Sequence, residues 1–175
     1  MNAHATLAPV FQRSHGEAIV ALDCVAGKAR LVRLGQKGSA KAILPQVGDV
    51  PEVVFLNTSG GLTGGDTLSF RLTLGAGVRA VATTQTAERA YRAGAGEAKV
   101  SVDLAIGTGG SVDWLPQETI LFDASALHRR TTIDLAGDAG CLALEAVVLG
   151  RSAMGEVVRQ LAFRDTRSIR RDGMP

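Results

Sequence analysis

Residues Thr67 to Leu74 alternate polar and apolar side chains without a break, and this pattern constrains the fold more than any other feature of the sequence. Strict alternation places every second side chain on one face, as in a half-buried β-strand. Alternation also runs through Lys99 to Ile106 and, less cleanly, through Ala18 to Val25, Ala29 to Leu34, Val78 to Thr83 and Thr131 to Leu135. Glycine turns separate these stretches, and short strands divided by such turns predict an all-β protein.

Length and composition agree with one β-rich domain over residues 1–175. Hydrophobic residues make up 46% of the chain but aromatic residues only 4%, so a core must consist mainly of Ala, Val, Leu and Ile. The 21 glycines among 175 residues exceed the usual share of about 7%. Helical candidates are restricted to Gln85 to Ala93 and to Leu142 to Gln160, the second interrupted by Gly150 and Gly155. We therefore expect one or two short helices.

A strand, a glycine-containing turn and another apolar run recur about every 30 residues, a period within the range of repeat architectures. The turns follow Leu74, Ile106 and Leu135, so their spacing is nearly constant. This recurrence fits a plain meander, and it also fits layers that cover one another's apolar faces, as in solenoids. We adopt the second interpretation, a layered β-helicoid or solenoid-like stack of hairpins. In such a stack, polar residues at the ends of the second strands would gather near one edge: Thr84, Gln85, Pro116, Gln117, Glu118 and Glu145.

Charge and cysteine content argue against several classes of function. Lys and Arg total 19 against 17 Asp and Glu, so a net charge of +2 gives no indication of a nucleic-acid or membrane partner. Six arginines crowd the stretch from Arg151 to Arg171, and solvated charge explains them better than a phosphate-binding patch does. Cys24 and Cys141 lack the CxxC spacing of a zinc ribbon. Without a signal segment or a long apolar run, a cytoplasmic location is expected.

The segment from Asn57 to Asp66 has an unusual concentration of glycine, at Gly60, Gly61, Gly64 and Gly65. Consecutive backbone N–H groups can bind an anion, but a nucleotide-binding loop of this kind requires Gly-Lys-Ser/Thr at the start of a helix. Here Asp66 follows the glycines and a strand begins, which argues against nucleotide binding. Two interpretations of Asp66 stay open. Its carboxylate accepts hydrogen bonds from the loop, or it binds a cation or a basic group of a partner.

Carboxylates supply the other candidate ligands, namely Glu118, Asp123, Glu145 and Glu156. Such hard donors hold a divalent metal weakly without imidazole or thiolate, so no tight metal site is predicted. His4, His15 and His128 are isolated in the sequence and are expected to be structural or solvent-exposed. No GxSxG motif supports nucleophilic catalysis.

Four blocks of the sequence match one known family in order and approximate spacing. They are LNTSGGLTGGD at Leu56 to Asp66, TTQTAERAYRA at Thr83 to Ala93, WLPQETILFDASALHRRTTIDL at Trp114 to Leu135, and LGRSAMGE at Leu149 to Glu156. On these blocks the chain resembles the UreD family of urease accessory proteins, called UreH in some bacteria. Family members usually continue well past the position of Pro175, so the resemblance implies that the family's C-terminal portion is missing.

The resemblance implies a mostly β, helicoid-like fold and a nickel-insertion chaperone rather than an enzyme. Its implied partners are the urease apoprotein, a helical UreF-type accessory protein and, through that complex, a UreG-type GTPase, without nucleic acid or membrane. No tightly bound cofactor is implied, although a nickel ion would bind transiently. The glycine loop would shape a polar passage, and the residues implied for nickel passage or partner contact are Asp66, Thr84, Glu118, Asp123, Glu145 and Glu156.

Two other classes of function remain as alternatives. A β-rich module could bind a saccharide or another small ligand through its loops and its arginine-rich end. A hydrolase with paired carboxylates would show turnover by the isolated chain, whereas a chaperone would show none.

Overall fold

The computed structural model describes residues 12–45 and 48–175, and nearly all regular structure in them is β-strand. The strands, in chain order, are β1 (His15–Val25), β2 (Lys28–Gly38), β3 (Ala40–Ile43), β4 (Glu52–Asn57), β5 (Thr67–Leu74), β6 (Arg79–Thr84), β7 (Glu88–Ala90), β8 (Ala98–Ile106), β9 (Ser111–Trp114), β10 (Thr119–Leu121), β11 (Ser125–Leu135), β12 (Gly140–Ala143), β13 (Val147–Leu149) and β14 (Leu161–Arg171). The prediction of an all-β protein is confirmed.

The strands form three sheets that wind around one core. The first sheet has the order β14-β11-β8-β5-β1-β2, the second β12-β9-β6-β4-β3, and the third β13-β10-β7. Each full coil takes one strand from each sheet, and parallel pairing joins equivalent strands of successive coils. Within the described residues, the β1–β2 and β3–β4 pairs are antiparallel. The layered solenoid is confirmed, and its repeating unit is a three-strand coil rather than a hairpin.

The recurrence of turns predicted from the sequence corresponds to the alignment of strands in successive coils. In the first sheet Leu74 lies beside Ile106, and Ile106 lies beside Leu135, so the residues that precede the recurring turns are neighbours on adjacent strands. The next coil is longer, because Leu135 lies beside Arg171. Turns from the first to the second sheet always contain four residues, at 75–78, 107–110 and 136–139. Length varies instead at the corner that leads from the third sheet back to the first, at 91–97, 122–124 and 150–160.

Inward-facing side chains of the strands form the core. Leu72, Leu104 and Ile133 lie side by side on β5, β8 and β11, and each is at most 2% exposed. The core is mainly aliphatic, as the composition predicts. Phe55 on β4 contributes an aromatic centre, because its ring stacks on Phe70 and lies edge-on to Trp114. Such burial of apolar surface is the main stabilising contribution in a fold of this kind.

The expected helices are nearly absent from the described residues. The Gln85 to Ala93 stretch is not helical, because its central residues form β7 and pair with β10, which buries Ala90. Pairing and burial thus outweigh the helix propensity of Ala, Glu and Arg. The Leu142 to Gln160 stretch contains β13 and a single 3-10 turn at Ser152–Met154. Among the described residues, no helix is long and apolar enough to cross a membrane. Cys24 and Cys141 are both free thiols.

The last strands of all three sheets, β12, β13 and β14, lie at one end of the stack. We term the surface that they form the open end. Leu149 on β13 is aligned with Leu121 on β10, yet Leu149 is 60% exposed and Leu121 only 1%. Side chains that are buried in earlier coils are therefore exposed at the open end.

Candidate functional site

A partly enclosed cavity of about 70 Å³ lies between the three sheets. Its volume is enough for a few water molecules. Thr84, Gln117 and Glu145 line it, together with Gln85 and Pro116, so five of the six residues predicted to gather at one edge meet here. Glu118 does not line the cavity. The backbone N–H of Gln117 donates to Oγ1 of Thr84 at 3.0 Å, which ties the second and first coils together at this corner.

Polar residues replace apolar ones at two inward-facing rows of the first sheet. One row runs Leu68, Val100, Arg129, Asp165 and the next runs Phe70, Val102, Thr131, Arg167. Each row is apolar in the first two coils and polar in the last two. The sequence carries a signal of this change, because the alternation of β11 puts Arg129 on the same face as Leu127 and Ile133. Sequence reasoning did not use this signal.

Arg129 is buried and connects two coils. Its Nε and Nη2 donate to Oδ1 and Oδ2 of Asp165 at 3.1 and 2.7 Å, a bidentate pairing. Its Nη1 donates to Oγ1 of Thr119 on β10 at 3.1 Å. The side chain is only 7% exposed. A guanidinium at such depth depends on these partners, because an unpaired interior charge is strongly unfavourable.

Glu145 is the second buried charge in this wall. Its Oε1 accepts hydrogen bonds from Nε1 of Trp114 at 3.1 Å and from Oγ1 of Thr131 at 3.0 Å. Its Oε2 accepts one from Nε of Arg167 at 2.8 Å and lies 3.4 Å from Nη2 of Arg129. Four donors therefore surround one carboxylate, which leaves Glu145 little capacity for another ligand.

We term Arg129, Glu145, Asp165 and Arg167 the Arg129 network, in which two cations balance two carboxylates. Burial acts to raise the pKa of Asp165, but the hydrogen bond and charge of Arg129, together with the charge of Arg167, hold that pKa below its ordinary value. The hydrogen bond to Glu145 raises the pKa of Arg167 above its ordinary value. Asp165 and Arg167 are therefore ionised at neutral pH, and the network consists of ion pairs.

Glu88 is a different kind of carboxylate in the same cavity. Nδ2 of Asn57 donates to its two oxygens at 3.2 and 3.1 Å, and the backbone N–H of Arg89 donates to Oε1 at 3.1 Å. Burial raises its pKa above the ordinary value, in spite of these donors. Among the salt bridges of the described residues, none includes Glu88. Sequence reasoning missed Glu88, because β7 was assigned to a helical candidate.

Asp66 lies away from the cavity lining and organises the glycine loop. Its Oδ1 accepts a hydrogen bond from the backbone N–H of Ser14, and its Oδ2 accepts one from that of Thr63, both at 2.8 Å. The residue is 5% exposed. Of the two interpretations left open by the sequence, these hydrogen bonds fit the loop-ordering one.

The glycine loop continues the third sheet by one step beyond β7. Leu62 pairs with Ala90 through two backbone hydrogen bonds. The Leu62 N–H donates to the Arg89 carbonyl at 2.7 Å, and the Tyr91 N–H donates to the Leu62 carbonyl at 2.8 Å. Leu62 is 1% exposed. At Gly64 an added Cβ would overlap the carbonyl oxygen of Ala95, so this glycine allows close backbone approach. Gly60, Gly61 and Gly65 have φ values of 81°, 147° and 91°.

Asp123 and Glu156 organise the connection between β13 and β14 instead of lining the cavity. Oδ1 of Asp123 accepts hydrogen bonds from the N–H groups of Arg159 and Gln160 at 2.8 and 3.1 Å, and these bonds hold its pKa below the ordinary value. Glu156 accepts from the N–H of Asp123 and from Nε of Arg151, and the bond from Arg151 is the main cause of its lowered pKa. Both acids therefore stabilise the conformation of this loop.

The remaining predicted residues do not form a metal centre. Glu118 is partly exposed, and its carbonyl accepts a hydrogen bond from the N–H of Glu88 at 3.0 Å. His15 and His128 lie on the outward face of the first sheet, whereas His4 lies outside the described residues. Within residues 12–45 and 48–175, no group of three or more His, Cys, Asp or Glu could hold a metal ion.

Comparison with known proteins gives consistent matches. The family model described as UreD urease accessory protein matches residues 14–175. A urease accessory protein UreD from Cereibacter sphaeroides strain ATCC 17029 is 64% identical over 176 residues, which cover all of this chain and 64% of that protein. UreD proteins from Dinoroseobacter shibae and Paracoccus denitrificans are 55% and 52% identical over 169 residues, covering 95% of this chain and 60% and 59% of those proteins. The chain thus spans less than two thirds of the length of these relatives.

The close packing at Gly64 predicts the effect of an added methyl group. Gly64→Ala should lower the free energy of unfolding by about 1–3 kcal/mol, because backbone must move to accept the Cβ. Gly94 is the matched control, since nothing lies within 4 Å of an added Cβ there. Gly94→Ala should leave stability unchanged or raise it slightly. Urea denaturation of both variants measures the difference, and equal losses would contradict the close packing.

The Arg129 network predicts a large and pH-dependent contribution to stability. Arg129→Ala should cost about 3–5 kcal/mol at neutral pH, because it removes the buried one of the two arginines that Asp165 and Glu145 share and leaves them only the half-exposed Arg167. Arg130→Ala is the control, because Arg130 is mostly exposed and lies 3.9 Å from Asp103; it should cost about 0–1 kcal/mol.

The pH dependence follows from the lowered pKa of Asp165. Such a group contributes stability above its unfolded pKa and loses that contribution as pH falls through its folded pKa. The difference in stability between the wild-type chain and Arg129→Ala should therefore shrink on acidification below the ordinary range of an aspartate. Urea denaturation at a series of pH values tests this, and a difference that does not vary with pH would contradict it.

Proposed function

This chain belongs to the UreD family of urease accessory proteins, and from that premise we propose that it assists the insertion of nickel into apo-urease. The match over residues 14–175 is the observation that carries the proposal. Relatives that are more than 60% identical across the whole chain are urease accessory proteins UreD. The proposed role is transfer rather than catalysis, so nickel is the cargo.

The proposed partners are the urease apoprotein and two further accessory proteins. A UreF-type helical protein would bind this chain directly, and a UreG-type GTPase would join through that complex in the cytoplasm. GTP hydrolysis is assigned to the GTPase. The glycine loop here closes on Asp66, whose carboxylate accepts two backbone hydrogen bonds.

The interior cavity is the proposed route of the ion. Its polar lining includes Thr84, Glu88 and Gln117, which offer oxygen atoms, the ligands that suit hard divalent cations and exchange them readily. Thiolate or imidazole ligands would bind nickel more tightly and slow its release. The cavity therefore suits brief occupancy, which a carrier requires.

Glu88 is the carboxylate best suited to attract a cation within this cavity. Glu145 is already surrounded by four donors, two of them arginines. Glu88 accepts hydrogen bonds only from neutral groups, the Asn57 amide and the Arg89 N–H, and the Arg89 charge acts on it without a hydrogen bond. Burial raises its pKa, which means that the ionised form is incompletely compensated. An approaching divalent cation would supply that compensation. Glu88 thus becomes the first residue to test, ahead of Glu145.

The proposal predicts that Glu88→Gln lowers nickel loading of urease without lowering the amount of accessory protein. The test is complementation of a urease-producing host whose own UreD gene is deleted, with urease activity, urease nickel content and chain abundance measured together. Asp103→Asn is the control, because Asp103 lies on the outward face of β8 and not in the cavity lining, and it should retain activation. Asp66→Ala should reduce activation through lower chain abundance, because its carboxylate orders the loop.

Two results would contradict this assignment. Normal nickel content with Glu88→Gln would remove Glu88 from the route. Failure of the abundant, folded wild-type chain to restore any activation would contradict the proposal that this chain assists nickel insertion.

The proposed partners predict an ordered pattern of copurification. A tagged chain should capture the helical accessory protein when the two are coexpressed, and the GTPase should appear only when that helical protein is present. A saccharide or metabolite panel provides the comparison for the binding-module alternative. Binding to a glycan, together with no capture of urease or its accessory proteins, would favour that alternative.

A further inference from the structure

The side-chain amide of Asn57 lies between the two carboxylate oxygens of Glu88. Its Nδ2 is 3.2 Å from Oε1 and 3.1 Å from Oε2, so it is nearly equidistant from both. A metal ion that a carboxylate binds in bidentate fashion occupies the same position, since it contacts both oxygens at once. In this chain a hydrogen-bond donor therefore fills the chelating side of Glu88.

The orientation of the Asn57 amide is fixed from its other end. Oδ1 of Asn57 accepts hydrogen bonds from the backbone N–H of Ser59 at 3.1 Å and from Oγ of Ser59 at 2.6 Å. The first of these bonds forms an Asx turn, in which an Asn or Asp side chain binds the N–H two residues later. Because Ser59 supplies the donors, the oxygen of the amide faces Ser59 and its nitrogen faces Glu88.

Few oxygen positions of Glu88 are left for a cation, since a carboxylate has only about four lone-pair sites. The backbone N–H of Arg89 donates to Oε1 at 3.1 Å, so that oxygen already has two donors. Among the hydrogen bonds of the described residues, Oε2 accepts only the one from Asn57. A cation in the cavity that Glu88 lines can therefore bind this carboxylate through one site, on Oε2.

We propose that Asn57 limits the affinity of Glu88 for a divalent cation, so that the ion is bound weakly and released quickly. This inference rests on the proposed function, in which nickel passes through the cavity as cargo. The amide restricts the ion to one oxygen of the carboxylate and competes with it for the negative charge. Asn57 is thus a positioning residue, which acts on the ion through Glu88 and does not coordinate it.

An Asx turn alone gives no reason for asparagine at this position. Aspartate forms the same turn, because its carboxylate also accepts a hydrogen bond from the N–H two residues later. Aspartate has no hydrogen to donate to Glu88, and it would bring a second negative charge to the place where Nδ2 lies 3.1 Å from Oε2. Two carboxylates this close favour a shared proton or a divalent cation between them. The donor of Asn57 therefore prevents the pair from becoming a strong metal site.

The pair of Asn57 and Glu88 lies on the solvent-exposed side of the cavity. Asn57 is the last residue of β4 and Glu88 the first of β7, and the lining residues nearest to them in sequence, Gly60 and Thr86, are exposed. The buried Arg129 lines the interior part. An ion that enters from the exposed side reaches Glu88 before it reaches the Arg129 network. A weak site suits this position, because tight binding would hold the ion there.

The nickel affinity of the chain, residues 1–175, tests the proposal. Each purified variant is titrated with Ni²⁺ alone, at slightly alkaline pH so that a proton on Glu88 does not compete. Asn57→Asp should lower the dissociation constant about tenfold or more, because it keeps the Asx turn and replaces the donor with a second carboxylate. Asn57→Ser removes the donor without adding charge and should lower the constant by a smaller factor. Ser101→Asp, on the outward face of β8, adds the same charge outside the cavity and should leave the constant unchanged.

Exchange of the two side chains tests whether the effect belongs to the pair. In the double variant Asn57→Asp with Glu88→Gln, one carboxylate again faces one amide, with the roles reversed. Its dissociation constant should return to within about threefold of the wild-type value, which is the behaviour of two coupled residues. A purely structural role of Asn57 predicts no such reversal.

Nickel release links this affinity to the proposed function. Release into an excess of chelator should slow in Asn57→Asp by about the factor by which its affinity rises. In the host whose own UreD gene is deleted, this variant should lower the nickel content of urease at normal chain abundance, although it binds nickel more tightly. Damage to the fold would instead lower both affinity and abundance, so the two explanations predict opposite changes in affinity.

Two results would overturn the proposal. A dissociation constant of folded Asn57→Asp that equals or exceeds the wild-type value would show that the amide does not limit affinity; Asn57→Ser decides the outcome if Asn57→Asp does not fold by circular dichroism. Tight binding that persists in the exchange variant would place the ion away from Glu88. Failure of the proposed function is a separate result, because the wild-type chain would then restore no urease activation, whatever its nickel affinity.

Discussion

The parallel alignment between successive coils is the constraint on which the rest of the structure depends. Backbone hydrogen bonds along each sheet fix every inward position above its counterpart in the previous coil. Apolar side chains such as Leu72 and Leu104 are then neighbours in the core, where each is at most 2% exposed. A charged side chain as deep in such a row as Arg129 cannot reach solvent by a small adjustment, so its compensation has to come from neighbouring strands. This is the reason that Arg129 is paired with Asp165 on the adjacent strand.

The cavity follows from the same constraint. Apolar residues occupy two inward-facing rows of the first sheet in the first two coils, whereas Arg129 and Thr131 occupy the corresponding positions in the third coil. Their polar ends need partners, and Glu145, Thr119 and the cavity space meet that need. Replacement of a buried ion pair by apolar residues of similar volume is often neutral or stabilising in proteins. Stability alone therefore gives no reason for the charged interior, and a charged interior is compatible with the proposed role as an ion carrier.

Much of the fold could be predicted from the sequence, because it depends on local alternation and on turn spacing. The strand Thr67–Leu74 and the regular recurrence of turns after Leu74, Ile106 and Leu135 were both readable in the residues themselves. The short strand β7 was not, because three residues carry no clear period and their composition favours a helix. Its conformation is decided by pairing with β10, a strand of the next coil.

The candidate site was predictable only in part, for a related reason. The gathering of Thr84 and Glu145 at one corner followed from the layered arrangement. The roles of Asp66, Asp123 and Glu156 depend on which backbone N–H groups point at each carboxylate, and composition and spacing do not specify this. Glu88 became evident only when its neighbours from other coils were in place, whereas the inward position of Arg129 follows from the alternation of β11.

The uneven connections of the coils have a consequence for how such a protein diversifies. Four-residue turns join the first sheet to the second in every coil. The connection from the third sheet back to the first varies in length, from the short one at 122–124 to the long one at 150–160. Insertions and deletions at that corner leave the stacking of the interior untouched. Changes of length at that corner can therefore remodel one stripe of the outer surface while the lining of the interior cavity stays the same.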